Sequence, residues 1–365
     1  MPDYDFVTAG AGLAGAAAAL HLSRHGSVLV LDKGAPAGGG SGAAAGLVNP
    51  ILGLRARPVW RMDAALSALD ESVLLARASD LYRLHPTLRP AYGGEQIERF
   101  RRAARENPEH AEWLDPADCR ERYPHVIAPE GALLLTTGGA IDISAFVGRM
   151  LAAAESMGAV IQTHRGVAAW DEAGVLLEDG DRVSSRYIIL AIGRAYADFP
   201  ELARLRLHQV KGQTIRLTRP PGLPADLPHL AGRGYVAHEN MTHESMTPGR
   251  ILSGRIVAGG TYEHVFTHIL PTRHQTSAIR RKIEVMLPAA AASDVIDERA
   301  GVRVTVPGIR LPMVGPLPGR KNVWIFTGFG AKGLLTAPLA ARELAAYLDD
   351  PQRIPEETRV RPSRR

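Results

Sequence analysis

Gly10, Gly12 and Gly15 stand in a GxGxxG spacing between a short apolar run at residues 5–8 and an alanine-rich segment at 13–24. A second apolar run at 28–31 ends in Asp32, 22 residues after Gly10. That order specifies a strand, a tight turn, a helix and a second strand. The first glycine permits the turn, the second lets a pyrophosphate approach the backbone at the positive helix end, and the third seats the helix close to the sheet. Ala11, Leu13 and Ala14 complete the phosphate-facing backbone. Asp32, followed by Lys33, is an acceptor for ribose hydroxyls and disfavours the 2′-phosphate of NADP. The unit predicts a Rossmann-like parallel sheet that binds an adenine dinucleotide, NAD or FAD.

The other end of the chain carries a second glycine turn. Residues 327–333 read TGFGAKG after an apolar run at 323–327 and before an Ala/Leu-rich helical segment. An NAD-binding unit has no need of it. The start of a helix, with its free amides, suits a group that gains negative charge on reduction, such as the pyrimidine side of a flavin.

With 365 residues and a net charge of +5, the chain has room for about two domains and an ordinary globular composition. Only five of its 43 basic residues are lysines, and the arginines are mixed with acids rather than gathered in basic runs with interleaved aromatics, which argues against nucleic-acid binding. Cys119 is the single cysteine, so no intrachain disulfide forms. The uncharged stretch 6–22 is too short for a typical membrane span and lacks a basic flank, so no membrane partner is expected and a cytoplasmic setting fits best. No feature sets an oligomeric state. Residues 58–85 have the spacing of one long helix or two, 99–129 read as a polar excursion away from the sheet, and 349–365 as a poorly ordered Pro/Arg tail.

Five marks, in order, give the chain its family likeness: the GAGLAG turn with Asp32; SGAAAGLVNP at 41–50; YIILAIG at 187–193; VKGQ at 210–213; and AGVR at 300–303 with the closing glycine turn. Over nearly its whole length the chain resembles the FAD-dependent D-amino-acid oxidase superfamily, in its glycine oxidase, sarcosine oxidase and tRNA-wobble-modification oxidase branches. The resemblance implies a discontinuous FAD-binding domain (1–85, 130–207, 297–350) and a mixed, largely antiparallel substrate domain (86–129, 208–296), with 351–365 as a tail. It implies that Ser41, Gly42, Ala45, Gly46, Val48 and Asn49 run along the pyrophosphate and flavin, and that Val167 lies at the adenine. Ala191 and Gly193 close the nucleotide-binding strand, while Gly328, Gly330, Ala331, Lys332 and Gly333 border the flavin ring.

Arg303 matches the arginine that clamps the substrate carboxylate in the glycine oxidase branch, a task suited to the paired donors of a guanidinium. Tyr235 lies where relatives bring a tyrosine toward the substrate. Lys332 is placed either to stabilise a reduced, anionic flavin or to face solvent. Some amino-acid oxidase relatives place a second arginine in the closing turn; here it reads Ala331-Lys332, closer to the tRNA-modifying branch. The implied function is oxidation of the C–N bond of a small amine or amino acid by hydride transfer to FAD, with dioxygen or another acceptor taking the electrons. Two alternatives stand beside it. One is action on a carboxymethylaminomethyl-uridine of tRNA, in relatives usually fused to a methyltransferase domain that 365 residues cannot hold; the other is a flavoprotein subunit without oxidase turnover.

No metal is expected: HENMTH at 238–243 has HExxxH spacing, which sets two imidazoles about 140° apart on a helix. The flavin is expected to be non-covalent, because Cys119 lies in the polar excursion and no histidine occurs between His25 and His85.

Overall fold

The computed structural model describes residues 1–220, 222–224, 226–238 and 254–361. The elements that build the site are β1 (Tyr4–Ala9), α1 (Leu13–Leu22), β2 (Val28–Asp32), α2 (Ile143–Ser156), β3 (Arg182–Leu190), β4 (His208–Thr218), β5 (Tyr235–His238), β6 (Arg255–Gly259), β7 (Val295–Thr305), β8 (Val323–Thr327) and α3 (Gly333–Asp349).

The first sheet is parallel at its centre, in the order Val160–Thr163, β2, β1, β3, β8. Its strands are the continuous apolar runs of the sequence because both faces are covered: Val7, Leu29, Ile188 and Ile325 are at most 1% exposed. Glycine and alanine let α1 lie close, and Ala16 through Leu20 are completely buried. α1 packs against α2 and α3. The second sheet has eight strands and begins β7, β4, β6, β5, all antiparallel. Ile215, Leu217, Val236 and Ile256 form its core against the helix Arg273–Glu284, with Ile279 and Ile283.

Several expectations are corrected. Residues 58–85 yield one helix, Met62–Leu75, and then the strand Tyr82–Leu84; the left-handed backbone of Arg77 (φ 50°) ends the helical path. The excursion at 99–129 does leave the first sheet, and its strand Ala111–Leu114 joins the second, pairing with Ala132–Leu135, which pairs with Thr87–Pro90. Strand Ala132–Leu135 and most of β7, expected with the nucleotide-binding segments, therefore belong to the second sheet. The segment after α3 is packed as far as Val360: Ile354 and Thr358 are 2% and 3% exposed, and Arg359 bridges to Val314. Apolar Ile354 and a Trp60 to Glu357 hydrogen bond of 2.9 Å hold a segment whose composition alone reads as loose.

Candidate functional site: two glycine turns and an arginine between them

Gly10 ends β1 in a left-handed conformation (φ 105°), and a Cβ there would overlap the Ala191 carbonyl oxygen. A Cβ on Gly15 would overlap the Gly10 carbonyl oxygen. The glycines thus bring α1 against the ends of β1 and β3 as the spacing predicts. Gly12 caps α1 without a side chain. Ser41, 28 residues on, accepts the Leu13 amide at 3.0 Å, which ties the 41–49 segment to the helix start.

Asp32 holds two turns at once, accepting the Ala11 amide at 2.6 Å and the Gly34 amide at 2.8 Å. A carboxylate has about four lone-pair directions, so capacity remains for ribose hydroxyls. Among the described residues Lys33 pairs with Asp198, at 3.7 Å, in an exposed pair of little energetic weight. Arg165 donates its amide to the Asp32 carbonyl, 2.9 Å, which brings the strand containing Val167 toward the Asp32 end of the crevice. Gly46 (φ 69°) and Ile141 join strands, and a Cβ at Gly46 would overlap the Ile141 carbonyl. Asn49 is 9% exposed and its buried Oδ1 has no hydrogen-bond partner among the described residues. An orphaned acceptor costs about 1–3 kcal/mol, so a polar group of a bound dinucleotide is a fitting partner. The side-chain-free cradle, the Asp32 acceptor and the Asn49 orphan all fit FAD.

The closing turn meets the leading one. A Cβ on Gly333, at the start of α3, would lie 3.7 Å from Leu13 Cδ2. Gly328 and Gly330 both have positive φ, 80° and 56°. Ala331 is exposed, and Lys332 Nζ donates to the Arg310 carbonyl at 3.3 Å. Burial, then the nearby Arg310 charge, lowers the Lys332 pKa.

β7 spans the gap between the 40–43 loop and the closing turn. Residues 301, 303 and 305 share one face by strand alternation. At one position a Cβ on Gly301 would lie 2.9 Å from Gly40 Cα and 2.9 Å from Ala43 Cβ. At the other, Thr305 pairs with Phe329, and its Cγ2 would lie 2.9 Å from a Cβ on Gly330. Arg303 stands between them. Its Nη2 donates to the Thr261 carbonyl at 2.6 Å, and its guanidinium sits 4.6 Å from the Tyr262 ring centroid. Tyr235 packs its phenol against Gly259 and Gly260. Burial is the main cause that pushes its pKa up, with Arg303 opposing and Tyr262 adding, so it stays protonated.

Sequence reasoning missed Thr261 and Tyr262, which hold Arg303, and the part played by Gly212. A Cβ on Gly212 would overlap Arg303 Nη2; a glycine inside a strand is the signal that another group passes close by. Cys119 is buried, and burial pushes its thiol up to about 11. His238 lies on β5, residues 239–243 of the HENMTH motif fall outside the described residues, and no group of side chains that could hold a metal occurs among the described ones.

Comparisons with known proteins bear on the fold and the family. The chain is 28% identical over 373 residues to the tRNA 5-methylaminomethyl-2-thiouridine biosynthesis bifunctional protein MnmC of Thiobacillus denitrificans, covering 92% of this chain and 55% of that protein. The MnmC of Polaromonas naphthalenivorans is 29% identical, covering 94% and 56%. The chain thus spans about half the length of these curated relatives. Among solved structures, glycine oxidase from Geobacillus kaustophilus superposes with a TM-score of 0.81 at 19% identity, over 96% of this chain and 95% of that one. Iminodiacetate oxidase (IdaA) from Chelativorans sp. BNC1 does so with a TM-score of 0.81 at 23%, over 97% and 98%. These share the fold. The FAD dependent oxidoreductase (DAO) family matches residues 5–347, and the chain belongs to that family of flavoenzymes.

Proposed function

We propose that the protein oxidises the C–N bond of a small amine or amino acid bearing a carboxylate, with non-covalent FAD held between the two glycine turns. The observation that carries this reading is the place of Arg303, between a residue touching the 40–43 loop and a residue touching Gly330. FAD, when bound, supplies a two-electron acceptor. Gly10, Gly12, Gly15 and Asp32 would hold its phosphates and ribose; Asn49 and the 328–333 turn would line its redox end.

This chain's residues bind and orient the substrate. Arg303 presents a guanidinium steadied by the Thr261 carbonyl and the Tyr262 ring, and the substrate carboxylate takes its remaining donors. Tyr235, kept neutral, is a hydrogen-bond donor beside it. The amine reacts in its neutral form, because an ammonium has no lone pair to support loss of the α hydrogen with its electron pair. The substrate's α carbon then gives up its hydrogen with the bonding electron pair, the nitrogen loses a proton, and the imine is hydrolysed by water. The electrons pass to dioxygen or another acceptor. Lys332, engaged by the Arg310 carbonyl, is assigned support of the closing turn.

A second reading makes the amine the carboxymethylaminomethyl group of a tRNA uridine. The names of the relatives and the Ala331-Lys332 pattern favour it, and it uses Arg303 in the same way. Anaerobic mixing with glycine, sarcosine, proline and D-amino acids, followed by flavin absorbance, tests the first reading: at least one carboxylated amine bleaches the flavin. If none does while a carboxymethylaminomethyl-uridine RNA bleaches it, the second reading stands. If Arg303→Ala leaves the apparent affinity for the active substrate unchanged, both lose the clamp.

A further inference from the structure

The VKGQ segment at 210–213 lies on β4 beside Arg303 and presents two residues to each face of the sheet. Val210 stands opposite Arg303 of β7, and Gly212 leaves the space that Arg303 Nη2 fills, so these two belong to the face of the clamp. Lys211 and Gln213 belong to the reverse face, where they are 1% and 0% exposed. Both fasten the segment that holds the guanidinium. The Gln213 amide donates to Thr261 Oγ1 at 2.8 Å. The Lys211 amide donates to the Glu263 carbonyl at 3.0 Å, and the Glu263 amide donates to the Lys211 carbonyl at 2.8 Å. Thr261 and Glu263 are thus tied down on either side of Tyr262, whose ring lies against Arg303.

Residues that exchange both backbone bonds stand directly opposite each other, with their side chains on one face. Lys211 Nζ lies 3.6 Å from Glu263 Oε1, and the two side chains are 2% and 19% exposed. Glu263 is the only ion-pair partner of Lys211 among the described residues. The attraction is electrostatic without a hydrogen bond, since Oε1 has no hydrogen-bond partner among the described residues. Such a pair adds little to stability: taking both charges out of water offsets most of their attraction, and apolar side chains of the same size would serve the core as well. What opposed charges do supply is a fixed register. They draw residue 263, and with it Tyr262 and the Thr261 carbonyl, to one place beside β4. Removing a single partner leaves the other charge buried without compensation, which the segment relieves by shifting toward water.

We infer that Lys211 and Glu263 are positioning residues for the clamp: their ion pair on the reverse face of the sheet sets where Tyr262 and the Thr261 carbonyl stand, and so the aim of the Arg303 guanidinium at a substrate carboxylate. Both side chains lie behind the sheet and act through Arg303. The inference rests on the clamp role proposed for Arg303.

The test is a double-mutant cycle in the flavin-loaded protein, followed by steady-state kinetics with whichever of glycine, sarcosine, proline, a D-amino acid or the carboxymethylaminomethyl-uridine RNA bleaches the flavin. Glu263→Gln keeps the shape and removes the counter-charge of Lys211. Lys211→Met keeps the stem and leaves the remaining charge on the partly exposed Glu263, so it supplies the measurement if Glu263→Gln does not fold. Each is expected to raise KM about tenfold, a loss of about 1.4 kcal/mol, with kcat changed less than about twofold and flavin content at wild type. The deciding quantity is the coupling to Arg303. With Arg303→Ala already in place, neither substitution raises KM further, whereas damage spread through the second sheet would raise it by the same factor in both backgrounds. Equal factors in both backgrounds, or an unchanged KM in Glu263→Gln and Lys211→Met, overturn the role of the pair while Arg303→Ala still raises KM. If Arg303→Ala itself leaves KM unchanged, or if none of these substrates bleaches the flavin, the clamp reading fails and the inference falls with it.

Discussion

The two glycine turns do similar work with different tolerances. In the leading turn the atoms that leave no room for a Cβ are backbone: the Gly10 and Ala191 carbonyl oxygens. In the closing turn, the nearest atoms to Cβ positions at Gly328 and Gly330 belong to side chains, Val306 Cγ2 at 2.8 Å and Thr305 Cγ2 at 2.9 Å. Side chains give way by changing rotamer, whereas a carbonyl moves only with its strand. The leading turn is therefore a rigid cradle whose shape is fixed by the sheet. The closing turn is a surface adjustable from β7.

The largest expected effect follows in the cradle. Gly15→Ala sets a methyl group into the Gly10 carbonyl and forces α1 off the sheet; by overpacking and backbone displacement it costs more than about 3 kcal/mol. The expected outcome is protein purified without flavin and with a strongly lowered melting temperature. A variant that retains full flavin and wild-type melting removes the distinction between the turns.

Next in size is the loss of the arginine between them. Arg303→Ala is expected to weaken a carboxylated substrate by roughly 2–5 kcal/mol, because the anion loses its counter-charge, while flavin content stays at wild type. Gly212→Ala sharpens this test, since its methyl group displaces Nη2 without removing the charge. It should raise KM by less than Arg303→Ala does. Steady-state kinetics of the two variants separates position from charge, and equal values for both with wild type place the clamp elsewhere.

How much of this was legible in the sequence differs between the same two regions. Gly10, Gly15 and Asp32 show their purpose locally, because helix, turn and strand are neighbours in the chain and a Cβ at the wrong place has one meaning. Arg303 could be placed only by family likeness. Its neighbours are Gly212, Thr261 and Tyr262, and the residues two positions to either side on its face meet Gly40 and Phe329, a gathering that no local spacing announces. The same cause misplaced most of β7 and the strand Ala132–Leu135, whose apolar runs fit either sheet. The tail at 351–361 misled because exposed Pro and Arg dominate its composition, while two buried side chains, Ile354 and Thr358, decide its structure.

A pH dependence distinguishes the helices behind the two turns. α1 carries His21, 3% exposed, with Nε2 3.0 Å from Ser72 Oγ. Burial lowers its pKa from 6.5 to about 4. The unfolded chain accepts a proton that the folded chain refuses, so this stability is whole above pH 6.5 and declines as pH falls toward 4. The ceiling is roughly 3 kcal/mol, at about 1.4 kcal/mol per pH unit. α3 contains no histidine. Buried His229 and His238 in the second sheet, with pKa values lowered to about 2 and about 4, add the same sign. Urea unfolding at several pH values should therefore show a shallower acid slope in His21→Leu than in wild type. Equal slopes would show that α1 does not carry this sensitivity.

The smallest effect is expected in the closing turn. Gly330→Ala holds an alanine at φ 56°, which costs roughly 1–2 kcal/mol for an L-residue in the left-handed region. Its methyl group comes nearest to the Thr305 methyl, a side-chain atom rather than a backbone one. Flavin content should stay near wild type and the melting temperature should fall by a few degrees. Because Thr305 lies two positions from Arg303 on the same face, its displacement reaches the substrate side, so kcat should fall more than flavin retention. If Gly330→Ala instead loses its flavin as completely as Gly15→Ala, the closing turn is as rigid as the leading one, and the adjustable surface attributed to it does not exist.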